Sequence, residues 1–217
     1  MKCPHCCACV SPDQNACLAC GFSATLLHTY LGNQWVRLER LTDAAHCLRL
    51  EESRKIEIVL DNFERSFPQA FFAAYLGVLP SGLSVAELGF WLLNQGAFNT
   101  HSVTRRNDFG IVLVLDPSAQ VVSITLGYAI EKWFGEGTIT RILQTAGNHL
   151  SKGAFGMAIQ TACIRCEEVL RKRAQGMTWK PDTITAAGGT LDMGLQPLRG
   201  GHKPASRPFA DFSATKS

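Results

Sequence analysis

Two continuous apolar runs mark the centre of a predicted β-sheet in this chain. The run "AFFAAYLGVL" (70–79) is followed by a Pro-Ser-Gly turn, and "GIVLVL" (110–115) follows a charged stretch. Short apolar runs between turn signals are typical of strands that are buried on both faces. The segment "QVVSITL" (120–126) alternates better between apolar and polar positions, which predicts a neighbouring strand with one wetter face.

Helical periodicity predicts helices on both sides of these strands. A first amphipathic helix covers about 50–66 and stops before a proline, and a second begins with Ser84 and Glu87 at capping-box spacing. Apolar stripes predict two further helices, over about 139–150 and 155–170. The order helix–strand–helix–strand–strand–helix–helix indicates an α/β fold with a small mixed sheet flanked by helices.

The segments around this domain differ from it in composition. Residues 1–22 form a cysteine-rich head, residues 23–40 are interpreted as an extended connector, and the α/β domain occupies 41–173. Residues 174–217 are rich in Gly, Pro, Ala and Ser without an apolar period, which predicts a disordered tail. A chain of 217 residues fits one medium-sized domain with attachments.

Charge and hydropathy restrict the cellular compartments and the classes of partner that we expect for this protein. The net charge is only +3 and the chain has no stripe of aromatic and basic residues, so nucleic acid is not an expected partner. No apolar run approaches the ~18 residues of a membrane-spanning helix. The N-terminus lacks the apolar core of a signal peptide. We therefore expect a cytoplasmic protein, in which thiols stay reduced.

The head contains six of the nine cysteines, and in a reducing compartment such clustering indicates a metal site. Cys3 and Cys6 form one CxxC pair, and Cys17 and Cys20 form another. Four thiolates close a tetrahedral site, which predicts a structural zinc ion without an open position for catalysis. Cys6 and Cys9 also form a CxxC pair, so the register of the first pair stays open.

Other residues of these motifs receive structural interpretations. Gly21 suits the turn after the last ligand, and Cys7 stands where a zinc ribbon usually has glycine. His5 is interpreted as a spacer. Cys163 and Cys166 form a further CxxC pair on the apolar face of a predicted helix and are interpreted as buried side chains. We expect the core of the α/β domain to be built without the head, so that loss of the metal leaves the domain intact.

Several short motifs, taken in order, resemble the TPM domain family over roughly 41–173. They read "LTDAAHCL", "SVAELGFWLLNQ", "RRNDFGIVLVL", "VSITLGYAIE" and "LSKGAFGMAI". That family is named for thylakoid-lumen, photosystem-repair and receptor-modulator members, and zinc-ribbon heads resembling this one precede the domain in some bacterial members. The resemblance implies a TPM-like α/β sandwich with an N-terminal zinc ribbon.

The resemblance also implies roles for four residues. The family's Asp-Asn-Gly begins at Asp108, and its Gly-Tyr-Gly-x-Glu supplies Tyr128 and Glu131, while an aspartate near the domain start falls on Asp43. Asp108 and Glu131 are then catalytic candidates, and Asp43 and Tyr128 are cofactor-binding candidates. The chain departs from the family pattern where Asn, Gly, Asp and Gly are replaced by Phe109, Ala129, Ala154 and Ala158.

Hairpin geometry predicts that Asp108 and Glu131 meet at one edge of the sheet, because the start of one strand lies beside the end of the next. Arg105 and Arg106 would lie there too. Such a group can hold a divalent cation, Ca²⁺ or Mg²⁺, through its carboxylates, with the arginines placed for a phosphate. The same residues can instead form a solvated ion-pair cluster.

Two classes of function remain open. The first is a non-catalytic interaction or assembly module with an unidentified protein partner. The alternative is a metal-dependent phosphatase, because members similar to this domain have been assigned acid-phosphatase activity. Cation binding at Asp108 and Glu131 would discriminate between them. Asp43 and Asp116, expected at the carboxyl edge of the parallel strands, are a second possible cation site.

Overall fold

The main sheet of the protein is built on the apolar runs that the sequence predicts as strands. A computed structural model of the chain describes residues 2–11, 14–99 and 107–176. A 3-10 turn, Asn107–Phe109, lies directly before the strand that begins at Gly110. In chain order the helices and strands are α1 (Ala24–Leu31), β1 (Val36–Glu39), β2 (Leu41–Asp43), α2 (Leu50–Ser66), β3 (Phe71–Leu76), α3 (Val85–Gln95), β4 (Gly96–Asn99), β5 (Gly110–Asp116), β6 (Val121–Leu126), α4 (Tyr128–Glu131), α5 (Glu136–Leu150) and α6 (Phe155–Gly176).

The strands form a four-stranded sheet with the order β2–β3–β5–β6 and a separate pair, β1–β4. Strands β2, β3 and β5 are parallel, whereas β6 runs antiparallel to β5 and lies at the edge of the sheet. Helices cover both faces of this sheet. The predicted α/β fold, a small mixed sheet flanked by helices, is confirmed.

Strand β5 divides the core into two apolar layers. All seven of its residues are buried. Ile111, Leu113 and Leu115 face the layer that contains α2, α5 and α6. Val112 and Val114 face the layer that contains α3. Because β5 is covered on both faces, its sequence is apolar throughout rather than alternating.

Residues 23–40 do not form the extended connector that the sequence predicts. Helix α1 and strand β1 occupy most of this segment. Leu27 of α1 is buried in the layer around α3, and the Trp91 indole donates a hydrogen bond to the carbonyl of Gly32 (2.9 Å). A helix of this length is unstable alone, so its contacts with α3 rather than its sequence pattern determine it.

The head shares a core with the α/β domain, so the expectation of separate cores is wrong. Cys3, Cys17 and Phe22 are buried in the same apolar layer as Trp91 of α3. The ring of Phe22 packs edge-on against Phe90, with 6.1 Å between centroids. The sequence could not show this, because the contacting segments are about seventy residues apart along the chain.

Arg40 joins the start of the domain to helix α2 through an ion-pair network. Its guanidinium group donates to Asp61 (2.8 Å), Glu64 (3.3 Å) and Glu57 (2.8 Å). The Arg40 side chain is only 12% exposed, and burial opposes its charge, but these carboxylates outweigh burial and raise its pKa. Since the Arg40 carbonyl also accepts a bond from Ala74 of β3 (2.7 Å), the network fixes α2 against the sheet.

The remaining expectations about the chain have different outcomes. Cys163 and Cys166 are fully buried in α6, which confirms their interpretation as core side chains, and burial raises the pKa of each thiol. Helix α6 extends to Gly176, and residues 177–217 of the predicted disordered tail lie outside the described residues. In the described part of the chain, no helix is both long enough and apolar enough to cross a membrane.

Candidate metal centre and acidic groove

Two backbone loops with the same hydrogen-bond pattern carry the cysteine pairs of the head. The N–H of Cys7 donates to the carbonyl of Cys3 (2.9 Å), and the N–H of Gly21 donates to the carbonyl of Cys17 (2.8 Å). The N–H of the first cysteine in each loop donates to a carbonyl five residues further on, that of Ala8 or Phe22, and each of these bonds is 2.8 Å long. These bonds close the loops. The two CxxC pairs therefore have matching local geometry.

The side chains of these loops form a four-sulfur cluster. The Sγ atoms of Cys3, Cys6, Cys17 and Cys20 all lie within 4.8 Å of one another. Between the loops, Cys3 lies 3.7 Å from Cys20 and Cys6 lies 3.6 Å from Cys17, sulfur to sulfur. Four sulfurs bound tetrahedrally at a Zn–S distance of about 2.3 Å are separated by about 3.8 Å. The cluster could therefore hold a metal ion such as zinc.

The register of the first pair is visible in the cluster, which contains Cys3 and Cys6 but not Cys9. Cys9 is exposed, and its backbone forms an isolated antiparallel β-bridge with Lys2. Cys7 and Gly21 occupy equivalent positions with φ of 60° and 73°. This left-handed conformation costs a side chain free energy and favours glycine, which explains the glycine usual at the position of Cys7.

The thiols of the cluster differ in acidity. The backbone N–H groups of Cys20 and Ala19 lower the pKa of Cys17 to about 7. The N–H of Phe22 acts in the same direction on Cys20, but burial and the neighbouring Cys6 thiol outweigh it and raise the pKa of Cys20 to about 12. Thiolates this close repel one another without a cation between them, so the cluster suits a metal ion that displaces the thiol protons.

A polar contact docks the first loop of the head on the start of α3. His5 Nδ1 lies 2.8 Å from Glu87 Oε1, and Glu87 also accepts the N–H of Ser84 (2.8 Å). The predicted capping box is therefore confirmed. Burial alone would raise the pKa of Glu87, but Ser84 and His5 outweigh it and lower the pKa. His5, interpreted from sequence as a spacer, is a docking residue of the head.

Asp43 and Asp116 lie at the carboxyl edge of the parallel strands, as predicted, but their oxygens accept backbone hydrogen bonds. The Asp43 carboxylate accepts the N–H groups of residues 47 and 48, at 3.1 and 2.8 Å. Asp116 accepts those of Leu79 (2.9 Å) and of residues 118 and 119 (2.8 and 3.0 Å). Both acids thus close turns at this edge of the sheet.

The other predicted acids, Asp108 and Glu131, lie at the opposite edge of the sheet, where they and Tyr128 line a groove of about 580 Å³. Asp108 and Tyr128 are exposed, and Glu131 is half-buried. The groove also touches the head, α3, β6 and α5. Arg105 and Arg106 lie outside the described residues, so their pairing with these acids stays a prediction.

Gly127 brings α4 and its acid next to Asp108. A Cβ atom at Gly127 would lie 2.3 Å from the Asp108 carbonyl oxygen and 2.5 Å from that of Asn107. The N–H of Gly127 donates to Gly110 (2.8 Å), and its carbonyl accepts the N–H of Glu131 (3.1 Å). Only a residue without a side chain permits this approach, which places Glu131 beside the start of β5.

Replacing Gly127 with alanine should therefore destabilise the protein by about 3 kcal/mol, because the contacted atoms are backbone and cannot move aside. Urea unfolding followed by circular dichroism measures this loss. Gly147→Ala is the matched control, since a Cβ atom there would meet nothing within 4 Å. It lies inside α5 and should stabilise the protein by up to about 1 kcal/mol. Equal effects of the two substitutions would contradict the role given to Gly127.

The α/β domain matches a known family at residues 41–169, which is described as the TPM domain. The match covers more than half of the chain. This chain belongs to the TPM domain family. The family that the order of motifs predicts is thus confirmed.

Solved structures resemble the TPM domain at low sequence identity. The N-terminal domain of a protein from P. gingivalis is 19% identical, with 63% of this chain and 84% of that chain covered and a TM-score of 0.48. The BA42 protein from the psychrophilic bacterium Bizionia argentinensis is 15% identical, with 63% and 88% covered and a TM-score of 0.48. No curated protein matches the chain.

Positions at which this TPM domain departs from the family pattern contribute to packing. Phe109 packs against the larger apolar layer, and Ala158 is fully buried in it. The N–H of Ala154 donates to the carbonyl of His149 (3.0 Å) and closes the turn between α5 and α6. The side chains of Phe109 and Ala158 therefore supply core contacts rather than polar ligands.

Proposed function

We propose that this TPM-domain protein is a metal-stabilised interaction and assembly module whose partner is a protein. The observation that carries the proposal is the composite groove, whose walls come from the head and from the TPM domain together. Because the four-sulfur cluster fixes the loops of the head, a bound metal ion maintains one wall of a binding surface. The partner itself is unidentified.

Zinc is the metal proposed for the four-sulfur cluster. Soft thiolate ligands in a tetrahedral set suit zinc, and a site closed by four of them has a structural role. The reducing cytoplasm, where we place the protein, keeps the four thiols available as ligands. The head then acts by holding its shape, and the metal takes no part in a reaction.

A weakly bound divalent cation, Ca²⁺ or Mg²⁺, is proposed at Asp108 and Glu131, because carboxylate oxygens are preferred ligands of both ions. The alternative function, a metal-dependent acid-phosphatase-like hydrolase of phosphate esters, is favoured by the same observation that these acids line one groove with Tyr128. A cation there would polarise a phosphoryl oxygen. Asp108 and Glu131 would hold it, and Tyr128 would contact the ester. The apolar replacements at Phe109 and Ala129 favour the binding module.

Calcium or magnesium should raise the melting temperature slightly, since a ligand at tenfold excess over Kd stabilises the folded state by about 1.4 kcal/mol. Asp108→Asn with Glu131→Gln should abolish this shift without unfolding the protein. Glu51→Gln with Glu168→Gln, two acids on other helices, should leave the shift unchanged. A cation effect that survives the first pair of substitutions would move the site to Asp43 and Asp116.

Hydrolysis of p-nitrophenyl phosphate separates the two functions. The interaction module should give no hydrolysis above buffer with either cation. Turnover that disappears in the Asp108→Asn, Glu131→Gln variant would instead establish the phosphatase. Turnover that persists in that variant would indicate a contaminating enzyme or a different site, and purification to constant specific activity distinguishes these.

A further inference from the structure

We propose that the groove binds an extended peptide segment of the partner, which adds as a strand to the open edge of β6 and carries a basic residue at its Asp108 end. This inference rests on the proposed interaction function and specifies the chemistry of the partner. Addition of a strand to a sheet edge supplies backbone hydrogen bonds for affinity, and the flanking walls supply specificity.

The groove runs along the backbone edge of β6. In the described parts of the chain, β6 pairs only with β5, so its outer edge has no neighbouring strand. Four consecutive residues, Ser123–Leu126, line the groove. Side chains of a strand alternate between the two faces of the sheet, so a cavity that touches consecutive residues must lie beside the strand rather than over one face.

The backbone register shows which groups of β6 face the groove. The N–H of Gly127 donates to Gly110, its opposite residue in the ladder. Bonded and non-bonded pairs alternate in an antiparallel ladder, so Thr125 and Ser123 are the next β6 residues bonded to β5. The alternate residues of β6, which are Val122, Ile124 and Leu126, direct their N–H and C=O groups away from β5.

Two helices form apolar walls on either side of this edge. Ala86, Phe90 and Leu93 form one stripe of α3, and Ile139 and Leu143 form one stripe of α5. A strand between them would direct alternate side chains toward each wall. Strand β6 has six residues, which at about 3.4 Å per residue gives an edge of about 20 Å. The groove therefore fits a segment of about six residues with apolar side chains.

Charge complementarity adds a basic residue at one end of this segment. Asp108 and Glu131 lie beside the Leu126 end of β6, with the exposed ring of Tyr128 next to them. A lysine or arginine there would lie beside these two acids and could lie over an aromatic ring. In the groove wall, the buried Ser123 hydroxyl oxygen has no hydrogen-bond partner among the described residues.

The test is selection of a phage-displayed library of random octapeptides on the full chain loaded with zinc, in buffer without calcium or magnesium. Enriched peptides should alternate β-branched or aromatic residues with others and carry arginine or lysine near one end. A synthetic enriched peptide, measured by fluorescence anisotropy, should bind about tenfold more weakly to the Asp108→Asn, Glu131→Gln variant. Added calcium should weaken its binding to the unmodified protein.

Substitutions in the groove locate the binding. Asn94 is exposed on α3 and lines the groove, so Asn94→Trp should narrow it and weaken peptide binding about tenfold, whereas Asn94→Ala should not. Ile124→Pro removes one outward N–H without removing a bond to β5 and should act similarly, whereas Ile124→Val should not. The bound peptide should also slow hydrogen exchange of the Ile124 and Leu126 amides.

Absence of enrichment would overturn the proposal, and so would enriched peptides that bind the Asn94→Trp variant normally. Concentration-dependent self-association that protects the same amides without peptide would make a second copy of the chain the occupant. These results leave the interaction function standing, because that function fails only if Asp108- and Glu131-dependent hydrolysis of p-nitrophenyl phosphate is observed.

Discussion

Replacing Cys17 and Cys20 with serine should release the metal and lower the melting temperature of the whole protein by roughly 10 °C. Structural zinc contributes about 10 kcal/mol or more in small zinc domains, so its loss should unfold the head. The α3 face that contacts Phe22 then becomes exposed, at a cost of about 3–5 kcal/mol, comparable with truncating a large core side chain. Each kcal/mol lowers the melting temperature of a chain this long by about 2–4 °C.

Metal content by mass spectrometry and thermal unfolding by circular dichroism measure these two effects. Cys9→Ser is the matched control, because Cys9 lies in the same loop region but outside the four-sulfur cluster. It should retain one zinc per chain and the original melting temperature. Metal loss without a change in melting temperature would show that the head is energetically independent of the TPM domain, despite their shared apolar layer.

Replacing Arg40 with alanine should destabilise the protein by about 3–5 kcal/mol, because the buried Glu64 carboxylate loses its ion pair with the Arg40 guanidinium group. Glu57 and Asp61 lose the same partner but are partly exposed. Arg40→Lys should recover only part of the loss, since an ammonium group cannot reproduce the planar fork of donors. Urea unfolding at neutral pH measures each difference.

Two comparisons show whether the loss comes from the buried charge. Adding Glu64→Gln to the Arg40→Ala variant should restore part of the stability, because it removes the buried charge that Arg40 balances in the unmodified protein. Arg171→Ala removes an exposed partner of Glu167 on α6 and should cost less than about 1 kcal/mol. If Arg40→Ala costs no more than Arg171→Ala, the network is not a significant source of stability.

The two sites with the largest predicted effects on stability lie on opposite faces of the sheet. One joins the head to α3, and the other joins the start of the domain to α2. Cys3 and Cys17 of the four-sulfur cluster are buried in the layer around α3, and Arg40 contacts α2 on the other layer. Because the groove is bounded by the head and by α3, loss of the metal should also weaken binding in the groove. The Arg40 network does not contact the groove and should affect binding only through overall stability.

The sequence predicts well those features whose signals are local. The apolar runs around 70–79 and 110–115 identify the central strands, and helical periodicity identifies α2 and α6. The capping box at Ser84 is a contact over three residues, so its spacing alone predicts it. Helix α1 was missed because it is short and becomes stable only through its packing on α3.

In the candidate site too, the features with local signals could be predicted from the sequence and the others could not. The spacing of the CxxC pairs predicts the four ligands, but two overlapping pairs share Cys6, and the three-dimensional positions of the sulfurs are needed to separate Cys3 from Cys9. Hairpin register predicts that Asp108 and Glu131 approach each other. The structure shows that these acids line the same groove as Cys3 and Pro4 of the head, which are far away along the chain. The sequence could not predict this, since no local pattern encodes that proximity.

By itself, the sequence determined the family, the central strands and most of the helices around them, and three of the four cysteine ligands, because periodicity and ligand spacing act over a few residues. The tertiary structure decided how the chain uses them. It seats the head on α3 through His5 and Glu87, surrounds Arg40 with carboxylates of α2, and uses Asp116 to close a turn at Leu79. Each of these contacts joins residues that are distant in sequence, so it depends on how apolar layers pack and on which buried charges must be paired.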